Sequence, residues 1–179
     1  MIDLADLKAA LNVPDGFTAH DDYLTALERA AVGYVQRKTG WYWGPEQEVD
    51  ATLCGSGTRD LWLPDHASAV SRVVEWSVYG VDSELPAESY ALRREPGSTH
   101  GIRLSRRDGR LWLPGYEYAV TYTRGYEEGT EPEDIRQAVI GLVALWFEVR
   151  LPVATAGLSS APVPDHVAAI IAARRKGMA

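Results

Sequence analysis

Apolar positions in this chain change period twice, from steps of three and four to steps of two and back. Leu4, Leu7 and Leu11 share one face of a first helix that Asp3 can cap and Pro14-Asp15-Gly16 stops. Leu24, Leu27, Ala31 and Tyr34 repeat the three-and-four step, which predicts a longer helix capped by Asp21 or Asp22, running to about Thr39 and closed by Gly40. From about Gln47 to Thr123 short alternations between turn signals take over. They predict strands at 48–53, 59–63, 72–79, 89–93, 102–105, 110–113 and 117–123, with Arg107-Asp108-Gly109 as a tight hairpin turn.

The helical period returns after an acidic loop. Thr130 and Glu133 have capping-box spacing, and Pro132 falls in the first turn, where a missing N–H is harmless. From Ala138 to Phe147 no residue is charged, and only the Trp146 indole carries a polar side-chain group. That stretch is too short for a bilayer, which needs about 20 residues. A helix apolar on every side must be covered on every side. In so short a chain, neighbouring subunits are the expected cover, with Val139, Leu142, Val143 and Trp146 facing them. A Pro/Ala/Ser-rich linker follows Arg150, and Asp165 caps a last helix with Val167, Ile170 and Ile171 inward, ending in Arg174-Arg175-Lys176. Leu-Trp-Leu-Pro recurs at 61–64 and 111–114 and Pro-Asp-His at 64–66 and 164–166. Neither echo amounts to a duplication.

The expected architecture is α+β. A helical frame of two N-terminal and two C-terminal helices (1–45 and 126–179) carries an inserted small antiparallel β-sandwich or barrel (46–125). At 179 residues such a chain makes one domain or two small ones and buries roughly 70% of its unfolded surface. Met1-Ile2-Asp3 leads straight into an amphipathic segment, so no signal peptide is read there. The one cysteine, Cys54, excludes an internal disulfide and fits a reducing compartment.

Net charge is −7, which argues against a nucleic-acid-coating protein. The distribution is uneven: six arginines (93, 94, 103, 106, 107 and 110) against Glu95 and Asp108 give +4 over 91–110, leaving −11 for the remainder. Arg106, Arg107 and Arg110 on one side, and the acidic loop of Glu127, Glu128 and Glu131 on the other, make complementary patches for subunit contact, or a solvated hairpin and loop.

Catalytic and metal chemistry is poorly represented. His20, His66, His100 and His166 lie far apart without helical ligand spacing, and Asp65-His66 and Asp165-His166 read as turn and helix starts. Cys54-Gly55-Ser56-Gly57 lacks the nucleophile-elbow frame and reads as a flexible turn. No phosphate-cradling loop occurs, and the paired carboxylates Asp21/Asp22 and Glu127/Glu128 identify no acid and base. No enzyme, metal or cofactor is expected. Six tryptophans leave a rival reading open, a monomeric β-sandwich binding module with a carbohydrate platform. The alternative is packing, with Trp62 and Trp112 opposite their leucine neighbours as core or interface anchors.

The ordered motifs resemble the head–tail connector (adaptor, head-completion) family of tailed bacteriophages and prophages, over nearly the full length. The residues are Ile2-Asp3-Leu4-Ala5-Asp6-Leu7-Lys8, then Ala30 to Gly40 with its A-x-x-Y-V-x-x-x-T-G close, and Leu61-Trp62-Leu63-Pro64. They continue with Val120-Thr121-Tyr122-Thr123-Arg124-Gly125-Tyr126, Pro132 to Ala138, Trp146 to Arg150, and Val163-Pro164-Asp165-His166-Val167. The resemblance implies a non-enzymatic virion protein at the head–tail interface, assembled in the host cytoplasm. It implies a ring, about twelve-fold, that docks on the portal protein, extends the channel for passing double-stranded DNA without reading sequence, and meets a tail-side stopper or tail-terminator protein. A gene transfer agent could use the same part. The C-terminal Arg174, Arg175 and Lys176 are then candidate portal contacts.

Overall fold

The computed structural model describes residues 2–77, 82–94, 102–127, 129–149 and 163–175. Among the described residues four helices, α1 (Leu4–Ala10), α2 (Asp21–Thr39), α3 (Glu133–Glu148) and α4 (Asp165–Ala173), flank seven strands in sequence. The strands are β1 (Gln47–Cys54), β2 (Asp60–Trp62), β3 (Ala67–Trp76), β4 (Asp82–Glu84), β5 (Tyr90–Arg94), β6 (Ile102–Arg106) and β7 (Glu117–Arg124). The fold is therefore α+β. Two compact units form, Met1–Gly44 with Glu127–Ala179, and Pro45–Tyr126.

In the β unit every strand pairing is antiparallel, in sheets ordered β1-β7-β3-β4 and β2-β6-β5. Alternation along β7 sends Tyr118, Val120 and Tyr122 inward, where Val73 of β3 meets them. Leu61, Ile102, Leu104 and Tyr90 of the second sheet join the same core, so the two sheets close on one apolar interior.

The segment expected as a strand at 110–113 is irregular instead. Its backbone is anchored by Trp112 N–H donating to Thr58 O (2.8 Å) and Gly57 N–H donating to Trp112 O (2.7 Å). The Leu-Trp-Leu alternation is real, but it serves to drive Trp112 alone into the core. Arg107-Asp108-Gly109 accordingly ends β6 rather than tipping a hairpin. Gly55 has a packing reason rather than a flexible one, since a Cβ there would sit 1.9 Å from Leu113 O. β4 escaped the sequence reading because Asp82-Ser83-Glu84 contains no apolar residue, and β3 starts five positions before the expected 72.

In the helical unit α2 buries Leu24, Glu28, Ala31, Val35 and Thr39, a stripe rotated from the expected one; Leu27 and Tyr34 are half-buried. Gly40 closes it in the left-handed conformation (φ 78°), its N–H donating to Gln36 O at 2.8 Å. The N-terminal caps differ from expectation. Asp3 makes no side-chain capping bond, Asp21 lies inside α2 behind His20, and Pro132 and Pro164 occupy the cap positions of α3 and α4. Thr130 spends its hydroxyl on Glu127 O (2.8 Å), closing a turn instead of a capping box.

α3 buries Ile135, Ala138, Val139, Leu142 and Val143, packed by α2 and α4 with α1 at the margin. This corrects the expectation that one copy cannot cover this helix. Three helices of the same chain do most of it, and within the apolar stretch the half-buried Ile140, Gly141, Ala144, Leu145, Trp146 and Phe147 retain partial exposure.

Candidate functional site

Val139, Leu142 and Val143 are 2%, 0% and 0% exposed, so they are interior packing and offer nothing to a partner. Trp146, next on the helix, is half-buried with its indole edge-on to Tyr34 (6.1 Å between centroids). Phe147 lies 5.7 Å from the His20 ring, and His20 lies 5.1 Å from the exposed Phe17. With Tyr23, also exposed, these rings form an aromatic surface near the N-terminus of α2 that the sequence reading passed over. Its one signal was an apolar residue, Phe17, in a turn.

The basic stretch is less basic in space than in sequence. Arg106 is buried, its guanidinium bonded twice to Asp108 (3.0 and 2.5 Å) and lying 5.1 Å over the Trp112 ring. That bond, opposed in part by desolvation, holds the Asp108 carboxyl below its usual range. Arg106 is thus a structural brace beneath Trp112. Arg107 and Arg110 are exposed and border a notch of about 400 Å³ with Glu88, Ser89 and Asp108. Arg103 is paired with Asp60 (3.1 Å) and lies 5.3 Å from the Trp62 ring. Trp62 itself is 51% exposed, so of the two expected anchors only Trp112 is core.

The acidic loop also divides. Glu127 is exposed and Glu128 lies outside the described residues. Glu131 is half-buried and lines a small cavity with Ile2, Glu28, Trp43 and Val139. Glu28 is the charged residue that sequence reasoning missed. It accepts a hydrogen bond from Ile2 N–H (3.3 Å), and burial raises its pKa. Its place four residues after Leu24 and three before Ala31 was the available signal. At the C-terminus Arg174 makes two bonds to Asp134 (2.7 and 2.8 Å), Arg175 borders a groove between α2 and α4, and Lys176 lies outside the described residues.

Asp65 accepts from Arg124 (2.9 Å), and His66 stacks on Tyr126 (4.7 Å). Burial, reinforced by Asp65, pushes Tyr122 up to about 12. Among the described residues no group of three or more His, Cys, Asp or Glu side chains is placed to hold a metal ion, and no helix is long and apolar enough to cross a membrane. The described residues thus present three surface features: an aromatic cluster, a notch bordered by Arg107 and Arg110, and a groove bordered by Arg175.

No family model matches the chain. A 60-residue stretch is 38% identical to autophagy-related protein 13 of two Saccharomyces cerevisiae strains, covering 30% of this chain. The chain spans only 8% of the length of that protein. Solved structures match over the full fold. A chain in the neck of an empty GTA particle, computed with C6 symmetry, superposes with a TM-score of 0.70 at 21% identity, covering 99% of this chain and 91% of its own. A chain of the native gene transfer agent (GTA) virion gives 0.69 at 21% with the same coverage. A chain in the native GTA neck, computed with C12 symmetry, gives 0.65 at 20% identity, covering 98% and 89%. At these identities the likeness establishes the fold: this chain folds as those particle chains do.

Proposed function

We propose that the chain is a non-enzymatic structural subunit of the neck of a phage, prophage or gene transfer agent particle. In this reading it is a head–tail connector that forms a ring, docks on the portal protein, extends the DNA channel and meets a tail-side protein. The observation that carries it is the match of 99% of this chain to 91% of a GTA neck chain at a TM-score of 0.70. The ordered motifs of the sequence support it independently. The C6 and C12 symmetries of the two neck structures favour a ring, built from heterologous contacts in which unlike surfaces meet. The aromatic surface of Phe17, Tyr23 and Phe147 and the exposed Arg107 and Arg110 are unlike surfaces of that kind. Acids facing the lumen would let DNA pass without phosphate contacts. Electron microscopy of the purified chain mixed with the portal protein of the same genome is the direct test. The expected outcome is a ring of density added below the portal. A bare portal at saturating concentrations of the chain would end the connector reading.

A further inference from the structure

Basic side chains of the helical unit fall into two groups. Lys8, Arg136 and Arg174 are each tied to a carboxylate, Asp21, Asp6 and Asp134 respectively. Among the described residues Arg29, Arg37, Lys38 and Arg175 are tied to none, and the last three border one groove of about 660 Å³ between α2 and α4. The nearest aromatic company is the Tyr34 ring, 5.6 Å from Lys38 Nζ. Ile171, Val163 and two alanines make the rest of the groove apolar. A chain of net charge −7 has acids to spare, yet among the described residues none forms an ion pair with these three cations of the groove.

We propose that this groove docks an acidic protein segment with one apolar face, supplied by a protein other than this chain. Clustered like charges repel, and an incoming row of carboxylates relieves that repulsion while apolar side chains fill the floor, as in helix-in-groove recognition. The stretch 151–162 leading into Val163 contains no Asp or Glu, so it cannot neutralise the rim. A second copy offers the acidic 126–134 segment, but Asp134 is held by Arg174 and Glu133 by Gln137 within their own chain. Duplex DNA supplies phosphates without an apolar ridge to fill a concave floor. The groove argument stands apart from the ring reading.

The test is a titration of the ¹⁵N-labelled full chain, followed by amide shifts. The probe is a designed helical peptide with leucines on one face and glutamates on the other. Its lysine-for-glutamate counterpart, a peptide of residues 126–134 and a short DNA duplex are the comparisons. The acidic peptide should move resonances of 34–38 and 163–175, and should bind about tenfold more weakly to an Arg37→Glu/Arg175→Glu variant whose circular dichroism matches wild type. No binding of the acidic peptide, or equal binding to the variant, overturns the proposal. Tighter binding of the 126–134 peptide or of DNA in this groove overturns it in favour of a second copy or nucleic acid. A chain that binds the peptide yet leaves its portal bare would keep this inference and lose the connector reading.

Discussion

Glu28 is 3% exposed among the apolar side chains of α2, and its carboxyl pKa lies above the ordinary 4.5 because burial penalises the ionised form. Ile2 N–H opposes the rise, and nearby Glu131 reinforces it. The folded state therefore holds this proton more tightly than the unfolded chain does. The stabilisation linked to it is complete below the unfolded pKa and is lost as pH rises through the raised folded value. At neutral pH the charge is a net cost. Glu28→Gln keeps an acceptor for Ile2 and removes that charge, so it should melt higher than wild type at about pH 7. The gap should close on acidification towards the unfolded pKa. Thermal melts at several pH values decide it, and a variant no more stable at neutral pH would refute the burial argument. Trp112 is the opposite case, a buried polar group with full satisfaction: its indole N–H donates to Arg59 O and Leu104 O, both at 3.0 Å, and its ring meets Tyr118 edge-on at 4.8 Å. Trp112→Phe should cost about 1–3 kcal/mol in urea unfolding through the lost donor, and Trp112→Ala about 3–5 kcal/mol through the added cavity.

At the scale of elements, two helical glycines predict opposite outcomes. A Cβ on Gly33 of α2 would meet only the Arg37 guanidinium at 3.5 Å, so Gly33→Ala should stabilise by about 1 kcal/mol from helix propensity. A Cβ on Gly141 would lie 2.9 Å from Val167 Cγ2 and 3.2 Å from His166 Nε2. Val167 is fully buried and β-branched, so it cannot swing aside, and α3 and α4 would have to part. Gly141→Ala should lose about 1–2 kcal/mol net, as overpacking outweighs propensity. Differential melting of the pair tests the close α3–α4 contact at Gly141. The same packing explains what could be read beforehand. Tyr118, Val120 and Tyr122 were legible because one face of β7 is buried and a period of two has no competing interpretation. Trp112 was misassigned to a strand because its partners, Thr58 and Gly57, are far away in sequence and only the fold brings them together. Glu28 was missed because amphipathic patterning assumes charges point outward. Hydropathy showed that α3 needed cover, but only the docking of α2 and α4 identifies whose helices supply it. The pairing of Arg106 with Asp108 was within reach, two residues apart, whereas Arg37, Lys38 and Arg175 converge only once α4 lies beside α2.

For the whole molecule the arrangement of the β unit in the chain is the governing fact. β1 and β7 are neighbours in register, Gln47 opposite Arg124, and Glu46 N–H donates to Tyr126 O at 3.1 Å. The chain thus enters and leaves the unit at one end of two paired strands. An insertion whose ends already touch adds little closure entropy to its host, so a β unit can be carried inside a helical frame without either losing its own core. The buried β core runs from Leu61 to Tyr122, with Val49, Ala51 and Leu53 of β1 packed against it, all within the β unit. We infer that the two units are separately cooperative domains, the helical one built from both ends of the chain. Loss of Trp112 should then loosen one unit and spare the other. Hydrogen exchange on full-length Trp112→Ala should show faster exchange in β1, β3, β6 and β7, with the amides of α2 and α3 keeping wild-type protection. If α3 loosens to the same extent as β7, the two units unfold as one, and the helical frame depends on its insertion for stability.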